Sequence, residues 1–186
     1  RLASCAELSS WSEATIDQLK SMTPLAPRGL FEPDLLFRPS VVNSAEWRQA
    51  EIPAVNLHGS ARDVAKVYAL LANGGALGDV RLLRSDTAAL LQFPSGPGVD
   101  KVFGFESSWA FGFQHRPWVD EASGTGRRSR FGLGGIGGSS AFGCILKDEA
   151  CDEAGLGTVG FAYLTREMGM WERAESVEDA LGRRSR

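Results

Sequence analysis

Residues 131–143, from Phe131 to Gly143, read FGLGGIGGSSAFG and hold five glycines within seven consecutive positions. Glycine has no Cβ and weakens a strand interior, so this density marks a place where another backbone or a ligand comes within contact distance. A flexible turn is the simpler alternative. The apolar run at residues 141–146, followed by charged residues 147–149, argues against it, because this pattern is typical of a buried strand that ends in a turn. The glycines are therefore predicted to lie in or beside a β-sheet.

Alternation of apolar and polar residues predicts further strands on both sides of the glycines. Residues 102–114 place aromatic side chains at odd positions, as a strand with one buried face does, with bends at Gly104 and Gly112. Residues 158–165 predict another strand. Polar turns are expected between the strands, at residues 120–130 and 148–157.

The clearest helix precedes these strands. Ser60 supplies an N-cap hydroxyl and Asp63 follows three residues later, which is a capping-box pattern. Apolar residues then recur at helical spacing as far as Gly74, which suits a left-handed helix terminus. The pattern predicts a helix from about Ala61 to Asn73.

A second, shorter helix is predicted after Ser85. It would turn Leu90 and Leu91 towards the core, and Pro94 would end it. Looser helical spacing predicts helices near the two ends of the chain, at residues 1–20 and 171–181. Prolines at positions 24, 27, 33 and 39 break regular structure, so residues 22–49 are expected to form an extended connector that lies across a surface.

Composition limits the possible function classes. The chain has 186 residues, 43% of them hydrophobic, and a formal charge of -3, which suits one soluble globular domain. A weakly acidic balance argues against a nucleic-acid or anionic-membrane partner. No run approaches the roughly 18 apolar residues that a membrane helix needs, and no signal-peptide pattern is visible. Three cysteines and two histidines lack metal-ligand spacing, so neither a metal site nor a disulfide framework is expected.

The order of the predicted elements sets the fold class. Helices come first, consecutive strands follow, and a terminal helix closes the chain. This order predicts an α+β protein with an antiparallel sheet flanked by helices.

Two groups of residues carry a resemblance to a known family. The first is IPAVNLHGSARD at residues 52–63, followed by YALLANGG at residues 68–75 and RLL at residues 81–83. The second is FGLGGIGGS at residues 131–139, with GFAY at residues 160–163 after a turn. In order and separation they resemble the C-terminal half of the β-lactamase-related serine hydrolases, which include class C β-lactamases, penicillin-binding DD-peptidases and esterase relatives.

The resemblance implies the C-terminal part of the β-lactamase/transpeptidase-like fold. Residues 51–186 would belong to that domain, and residues 1–50 would be a loop-rich connector or part of a helical subdomain. The reaction implied for a complete protein is acyl transfer to a serine followed by hydrolysis, on a small-molecule ester or amide, without a metal or organic cofactor.

The resemblance also implies part of a site. The family's third motif, Lys-Thr-Gly or His-x-Gly on an edge strand, falls at Leu133, Gly134 and Gly135, which would line the pocket. Ile136 then matches the residue whose backbone N–H forms half of the oxyanion hole. Leu133 stands where the family carries Lys or His, and leucine cannot hold a carboxylate or transfer a proton. Neutral esters or amides are therefore the expected substrates.

The family's other two motifs have no match in this sequence. No serine is followed three residues later by lysine, and no tyrosine is followed two residues later by asparagine. Cys144 and Lys147 have a similar spacing, but in a predicted strand they would not share one helical face, and Cys144 is more typical of a small core residue. No catalytic residue is therefore assigned. The chain is expected to be the second half of a larger enzyme, without turnover of its own.

Three other interpretations stay open. His58, Asp63 and Ser139 supply the residue types of a catalytic triad, although nothing in the sequence fixes their geometry, and His115 is most simply a surface residue. A glycine-rich phosphate loop is disfavoured, because the glycines lead into a strand and no lysine follows them. A β-lactamase-like interaction domain that lost its chemistry would explain Leu133 and the five tryptophans.

Overall fold

The computed structural model describes residues 3–7, 17, 21, 25, 39–53, 55–119, 127–135, 138–145, 157–168, 174 and 176–177. The helices are α1 (Pro39–Val42), α2 (Ala45–Gln49), α3 (Ala61–Ala72) and α4 (Ser85–Ala89), and α4 continues into a 3₁₀ turn at Leu90–Gln92. The strands are β1 (Ala6–Glu7), β2 (Ala76–Leu77), β3 (Val80–Arg81), β4 (Gly98–Val99), β5 (Glu106–Ala110), β6 (Phe113–Val119), β7 (Arg127–Gly134), β8 (Ser140–Ile145), β9 (Thr158–Tyr163) and β10 (Glu167–Met168).

Six strands form the main sheet in the order β4-β5-β6-β7-β8-β9, and each is antiparallel to its neighbours. A separate hairpin joins β2 to β3, and β1 pairs in parallel with β10. The predicted α+β class, an antiparallel sheet flanked by helices, is confirmed. In the described part of the chain, no helix has the length and apolar character needed to cross a membrane.

The helix α3 forms where its local signals place it. The Ser60 side chain accepts the Asp63 N–H at 3.2 Å, and its hydroxyl donates to the Asp63 carboxylate at 2.6 Å. At the other end the Asn73 N–H donates to the Ala69 carbonyl at 2.8 Å, and Gly74, with φ of 67°, turns the chain away. The helix predicted for about residues 61–73 is confirmed.

Two glycines let α3 lie directly on the sheet. Gly143 of β8 and Gly160 of β9 are cross-strand partners beneath the helix. A Cβ on Gly143 would lie 2.9 Å from the Tyr68 carbonyl oxygen, and one on Gly160 would lie 2.7 Å from the Ala69 Cβ. The close approach of a second backbone, expected for the glycine-rich stretch, is confirmed at Gly143.

Each face of the sheet carries an apolar cluster. On the α3 side the buried residues are Leu70, Leu71, Ala72, Leu91 and Phe131, with Tyr68 and Phe113 in edge contact at a centroid distance of 5.9 Å. On the other side Phe142 and Cys144 are buried against Val159 and Phe161. Cys144 is fully buried, so its predicted role as a small core residue is confirmed.

The single strand predicted at residues 102–114 is wrong, because a two-residue turn divides it into β5 and β6. Ala110 pairs with Phe113, and Phe111 and Gly112 both have positive φ, at 50° and 84°. This is the arrangement of a type I′ hairpin turn. The alternation of apolar residues continues across the turn, so periodicity alone could not reveal it. The expected bends at Gly104 and Gly112 are confirmed by their positive φ values.

The glycine-rich stretch is a hairpin. It ends β7, turns, and begins β8, with Gly134 paired to Ser140. The polar turn predicted at residues 120–130 is wrong for residues 127–130, which extend β7 because β6 pairs with them. The edge position expected for this strand is also wrong, since β7 lies between β6 and β8.

The short helix predicted after Ser85 is present, but only one of the two leucines predicted to face the core is buried. Leu91 is 5% exposed and Leu90 is 46% exposed. Both leucines lie in the 3₁₀ turn, where adjacent residues point about 120° apart, so Leu91 faces the core and Leu90 points away from it. The strand predicted at residues 158–165 is confirmed as β9.

The remaining predictions concern the two ends of the chain. The extended connector predicted at residues 22–49 is wrong for its last part, because α1 and α2 lie there. Pro39 begins α1, a position where its missing N–H costs nothing, and the Ser44 hydroxyl caps α2. In residues 1–20 the described Ala6–Glu7 is a strand paired with β10, so the helix prediction is wrong there, although Asp17 is helical. The described residues of 171–181, namely Ala174, Ser176 and Val177, are helical. Residues 8–16, 18–20, 22–24, 26–38, 148–156, 171–173, 175 and 178–181 lie outside the described parts.

Candidate active site

The C-terminal end of β7 has a strand partner on one side only. The ladder with β6 ends at Gly132, opposite Gln114, whereas the ladder with β8 continues to Gly134, opposite Ser140. Leu133 and Gly134 therefore extend beyond the β6 pairing. β7 is an interior strand over most of its length, but its last two residues are paired on one side only, as residues of the predicted edge strand would be.

A hydrogen-bonded turn follows this strand end. The Gly135 N–H donates to the Ser139 carbonyl at 2.6 Å, and the Gly138 N–H donates to the Gly135 carbonyl at 2.9 Å. Gly138 has φ of 89°, which favours glycine. Ile136, the predicted oxyanion-hole residue, lies outside the described residues, so its role stays a prediction.

The glycines of the stretch fall into two groups. A Cβ on Gly132 would lie 2.6 Å from the Phe142 Cα and would overlap the Ala141 carbonyl oxygen, so packing requires glycine there. At Gly134 no described heavy atom lies within 4 Å of an added Cβ, and at Gly135 the nearest is the Ser139 carbonyl oxygen at 3.6 Å. A Cβ would fit at Gly134 and Gly135 among the described residues. The described fold therefore gives no steric reason for glycine at these two positions.

Leu133 is 48% exposed beside these open glycines. Its cross-strand partner on β8 is the buried Ala141. The side chain has no donor, acceptor or charge, so it can offer a substrate only apolar contact. The structure thus places Leu133, Gly134 and Gly135 together at one exposed strand end.

His115 is not the surface residue that was predicted. It is 9% exposed and faces Phe131 across the β6–β7 ladder, with their rings 6.2 Å apart. Burial holds the pKa of His115 below its usual value of 6.5, and a hydrogen bond with the Leu91 backbone partly opposes this shift. The charged form of the imidazole is therefore disfavoured in the folded protein.

The described residues do not support the triad alternative. Asp63 contacts Ser60 and, at 3.8 Å, Lys66, both within one turn of α3. The Ser139 hydroxyl accepts the Thr165 N–H at 3.1 Å, and His58 is exposed. No hydrogen bond joins any two of His58, Asp63 and Ser139.

The phosphate-loop alternative is also weakened. The glycine turn connects two antiparallel strands, whereas a phosphate loop leads from a strand into a helix N-terminus. Within the described ranges, no three His, Cys, Asp or Glu residues lie close enough to hold a metal ion.

Sequence reasoning missed the contact between Ser139 and Thr165. Ser139 was considered only as a nucleophile, yet its hydroxyl links the glycine turn to the end of β9. The available signals were a serine directly after two glycines and a threonine two residues before an acidic residue. Serine and threonine in such positions often bond to nearby backbone.

A family model described as "Beta-lactamase" matches residues 12–181. The chain belongs to the beta-lactamase family. The resemblance seen at residues 52–83 and 131–163 is thereby confirmed. No curated protein matches the chain.

Two solved structures of beta-lactamase-fold proteins are similar to this family member. A penicillin-binding protein homolog from Caulobacter crescentus has 32% sequence identity and a TM-score of 0.50, over 68% of this chain and 31% of that one. A family VIII carboxylesterase has 28% identity and a TM-score of 0.61, over 78% of this chain and 37% of that one. The chain thus spans about a third of the length of each of these two structures.

Proposed function

We propose that this chain supplies the sheet side of the active site of an acyl-serine hydrolase, and that another polypeptide segment supplies the nucleophile. Membership of the beta-lactamase family supports the reaction class. This chain covers 31% and 37% of the two similar structures, so about two thirds of each has no counterpart in it. This supports the proposal that another segment carries the nucleophile. Residues 51–186 would form the sheet-bearing part, and residues 1–50 its connector or part of a helical subdomain.

One observation carries the proposal: the open backbone at Gly134 and Gly135. A carbonyl oxygen must come within about 3 Å of a backbone N–H to be stabilised, and a side chain beside that N–H would obstruct it. Among the described residues, these two glycines have room for a Cβ and still carry none. Close approach of a substrate is a physical reason for glycine at this strand end.

The proposed reaction has two steps. The serine oxygen of the other segment attacks the acyl carbon, and the carbonyl oxygen becomes an oxyanion held by the Ile136 N–H and by the nucleophile's own N–H. The alcohol or amine leaves with a proton, and the acyl-serine remains. Water then attacks this ester, releases the carboxylic acid and restores the serine.

The substrate class follows from Leu133. An apolar side chain that is about half exposed at the strand end cannot bind a carboxylate. A neutral ester or amide would avoid leaving a charged group unpaired there. We therefore propose neutral substrates and no metal or organic cofactor.

The sequence contains neither Ser-x-x-Lys nor Tyr-x-Asn, so the isolated chain should not turn over. The test is covalent labelling with a fluorophosphonate probe. The 186-residue chain should stay unlabelled, and a polypeptide that joins a Ser-x-x-Lys segment to this chain should be labelled at that serine. Labelling of the isolated chain would contradict the proposal, as would a longer polypeptide that carries the motif and does not react.

The second candidate is an interaction domain that has lost its chemistry. Leu133 favours it, and so do two largely exposed aromatic residues, Phe93 at 73% and Phe111 at 71% exposure. Labelling of the longer polypeptide decides between the two functions. An unreactive longer protein with a stable fold would favour the interaction domain.

A further inference from the structure

A chain of hydrogen bonds begins at Asn43, between α1 and α2. Its side-chain oxygen accepts the Cys5 N–H at 2.9 Å, and its side-chain nitrogen donates to the Cys5 carbonyl at 2.9 Å. One amide thus holds both backbone groups of a residue 38 positions away. The start of β1 is fixed to the helical part of the chain by this contact.

The strand β1 in turn holds the corner between β9 and β10. The Ala6 N–H donates to the Arg166 carbonyl at 2.7 Å, and Ala6 pairs with Glu167. The Thr165 hydroxyl closes the corner, because it donates to the Glu167 carbonyl and accepts the Glu167 N–H, each at 3.2 Å. Residues 165–167 are therefore fixed by hydrogen bonds to β1 and by the hydrogen bonds between the Thr165 hydroxyl and the Glu167 backbone.

The corner is also bonded to the glycine turn. The Thr165 N–H donates to the Ser139 hydroxyl at 3.1 Å, and the Ser139 carbonyl accepts the Gly135 N–H at 2.6 Å. Ser139 therefore contacts the corner through its side chain and the turn through its backbone. The bonds lead in order from Asn43 through β1 and Thr165 to Gly135.

Such support has a physical reason. Glycines have the widest conformational freedom of any residue, so a turn with several of them does not fix the direction of its own N–H groups. Stabilisation of an oxyanion requires donors that are already in place before the reaction. Two hydrogen bonds within the turn join Gly135 to Ser139 and Gly138 to Gly135, and the Ser139 hydroxyl connects the turn to Thr165, 26 residues away.

We propose that Ser139 and Thr165 are positioning residues for the glycine turn, and that β1, anchored by Asn43, holds them in place. Removing the Asn43 amide loosens the corner and, through Ser139, the turn. A loosened turn would hold the oxyanion less well, and this consequence rests on the proposed acyl-transfer function. The structural coupling does not, and it can be measured on the 186-residue chain without any turnover.

Amide hydrogen exchange followed by NMR tests the coupling. In Asn43→Ala, the Thr165 and Gly135 amides should exchange about tenfold faster, while amides in the middle of β8 keep their rates. The matched control is Asn56→Ala, which also removes an amide bonded to backbone, at Ile52, Trp47 and Ala50. Because Asn56→Ala also lowers the global stability, exchange at Thr165 and Gly135 is compared with exchange in the middle of β8, and in the control this ratio should stay as in the unmodified chain. Faster exchange in Asn43→Ala that stops at Ala6 would overturn the proposal.

A second pair of variants keeps the test decisive if Asn43→Ala unfolds. Ser139→Ala removes only the middle link, and it should accelerate exchange at Gly135 and Thr165 to a similar degree. Ser139→Thr keeps the hydroxyl and should restore both rates. Equal rates in Ser139→Ala and the unmodified chain would also overturn the proposal. Failure of the serine labelling would refute the acyl-transfer function and leave these exchange results unaffected.

Discussion

Replacing Gly160 with alanine should destabilise the protein, because an added Cβ has no room between β9 and α3. The Cβ would lie 2.7 Å from the Ala69 Cβ and would overlap the Ala65 carbonyl oxygen and the Ala69 nitrogen. Ordinary contact begins at 3.4 Å, so α3 would have to move away by about 0.7 Å at least. Two of the obstructing atoms are backbone atoms of a helix, so a change of rotamer cannot relieve the overlap.

The expected size of the effect follows from two opposing contributions. Overpacking a close-packed interior costs about 1–3 kcal/mol, and contacts with backbone belong at the upper end. Alanine recovers about 0.5–1 kcal/mol, because glycine loses more conformational entropy on folding. We expect a net loss of about 2 kcal/mol in the free energy of unfolding. For a chain of this length the Tm should fall by about 4–8 °C.

Urea and thermal unfolding followed by circular dichroism measure this loss. The matched control is Gly134→Ala, in which no described heavy atom lies within 4 Å of the new Cβ. Its stability should stay within about 0.5 kcal/mol of the unmodified chain. A Gly160→Ala variant as stable as the unmodified chain would refute the packing argument. Equal losses in both variants would refute the division of the glycines into two groups.

Three further predictions concern other parts of the fold. Phe111→Asn should raise the free energy of unfolding by about 0.5–1 kcal/mol in urea, because Asn-Gly suits a turn with two positive φ values and Phe111 is 71% exposed; a loss would show that the exposed ring packs in solution. Asn56→Ala should cost about 2 kcal/mol in the same assay, because its side chain bonds the Ile52 N–H and two carbonyls; an unchanged midpoint would show that water replaces these bonds. Burial lowers the pKa of His115, so the unfolded state binds the proton more tightly and stability should fall as the pH drops from about 7.5 to about 5. His115→Gln should show a weaker fall over this range, and an identical pH profile would contradict the assignment to His115.

Local signals in the sequence were sufficient for α3 and β9. Ser60 and Gly74 mark the two ends of α3, and each acts through contacts within a few residues. The hairpin at Phe111 escaped prediction for the opposite reason. Its turn needs φ above zero at a phenylalanine, which is unfavourable, and the sheet imposes it by pairing β5 with β6. Tertiary pairing overrides local preference there.

The assignment of the candidate site stays a prediction from the resemblance, which places Leu133, Gly134 and Gly135 in the third motif. The structure adds that these consecutive residues lie where β7 ends, with Leu133 about half exposed. Local signals were not sufficient to predict the contact between Ser139 and Thr165, because it spans 26 residues and depends on how β9 ends beside β8. The burial of His115 depends in the same way on packing against Phe131.

The most direct measurement compares Gly134→Ala with the unmodified sequence in a polypeptide that joins a Ser-x-x-Lys segment to this chain. The account predicts that kcat/KM for a neutral ester such as p-nitrophenyl butyrate falls about a hundredfold, because the new methyl group displaces the acyl carbonyl from its N–H donor. The Tm should not change. Undiminished hydrolysis by Gly134→Ala would contradict the claim that this bare backbone receives the substrate.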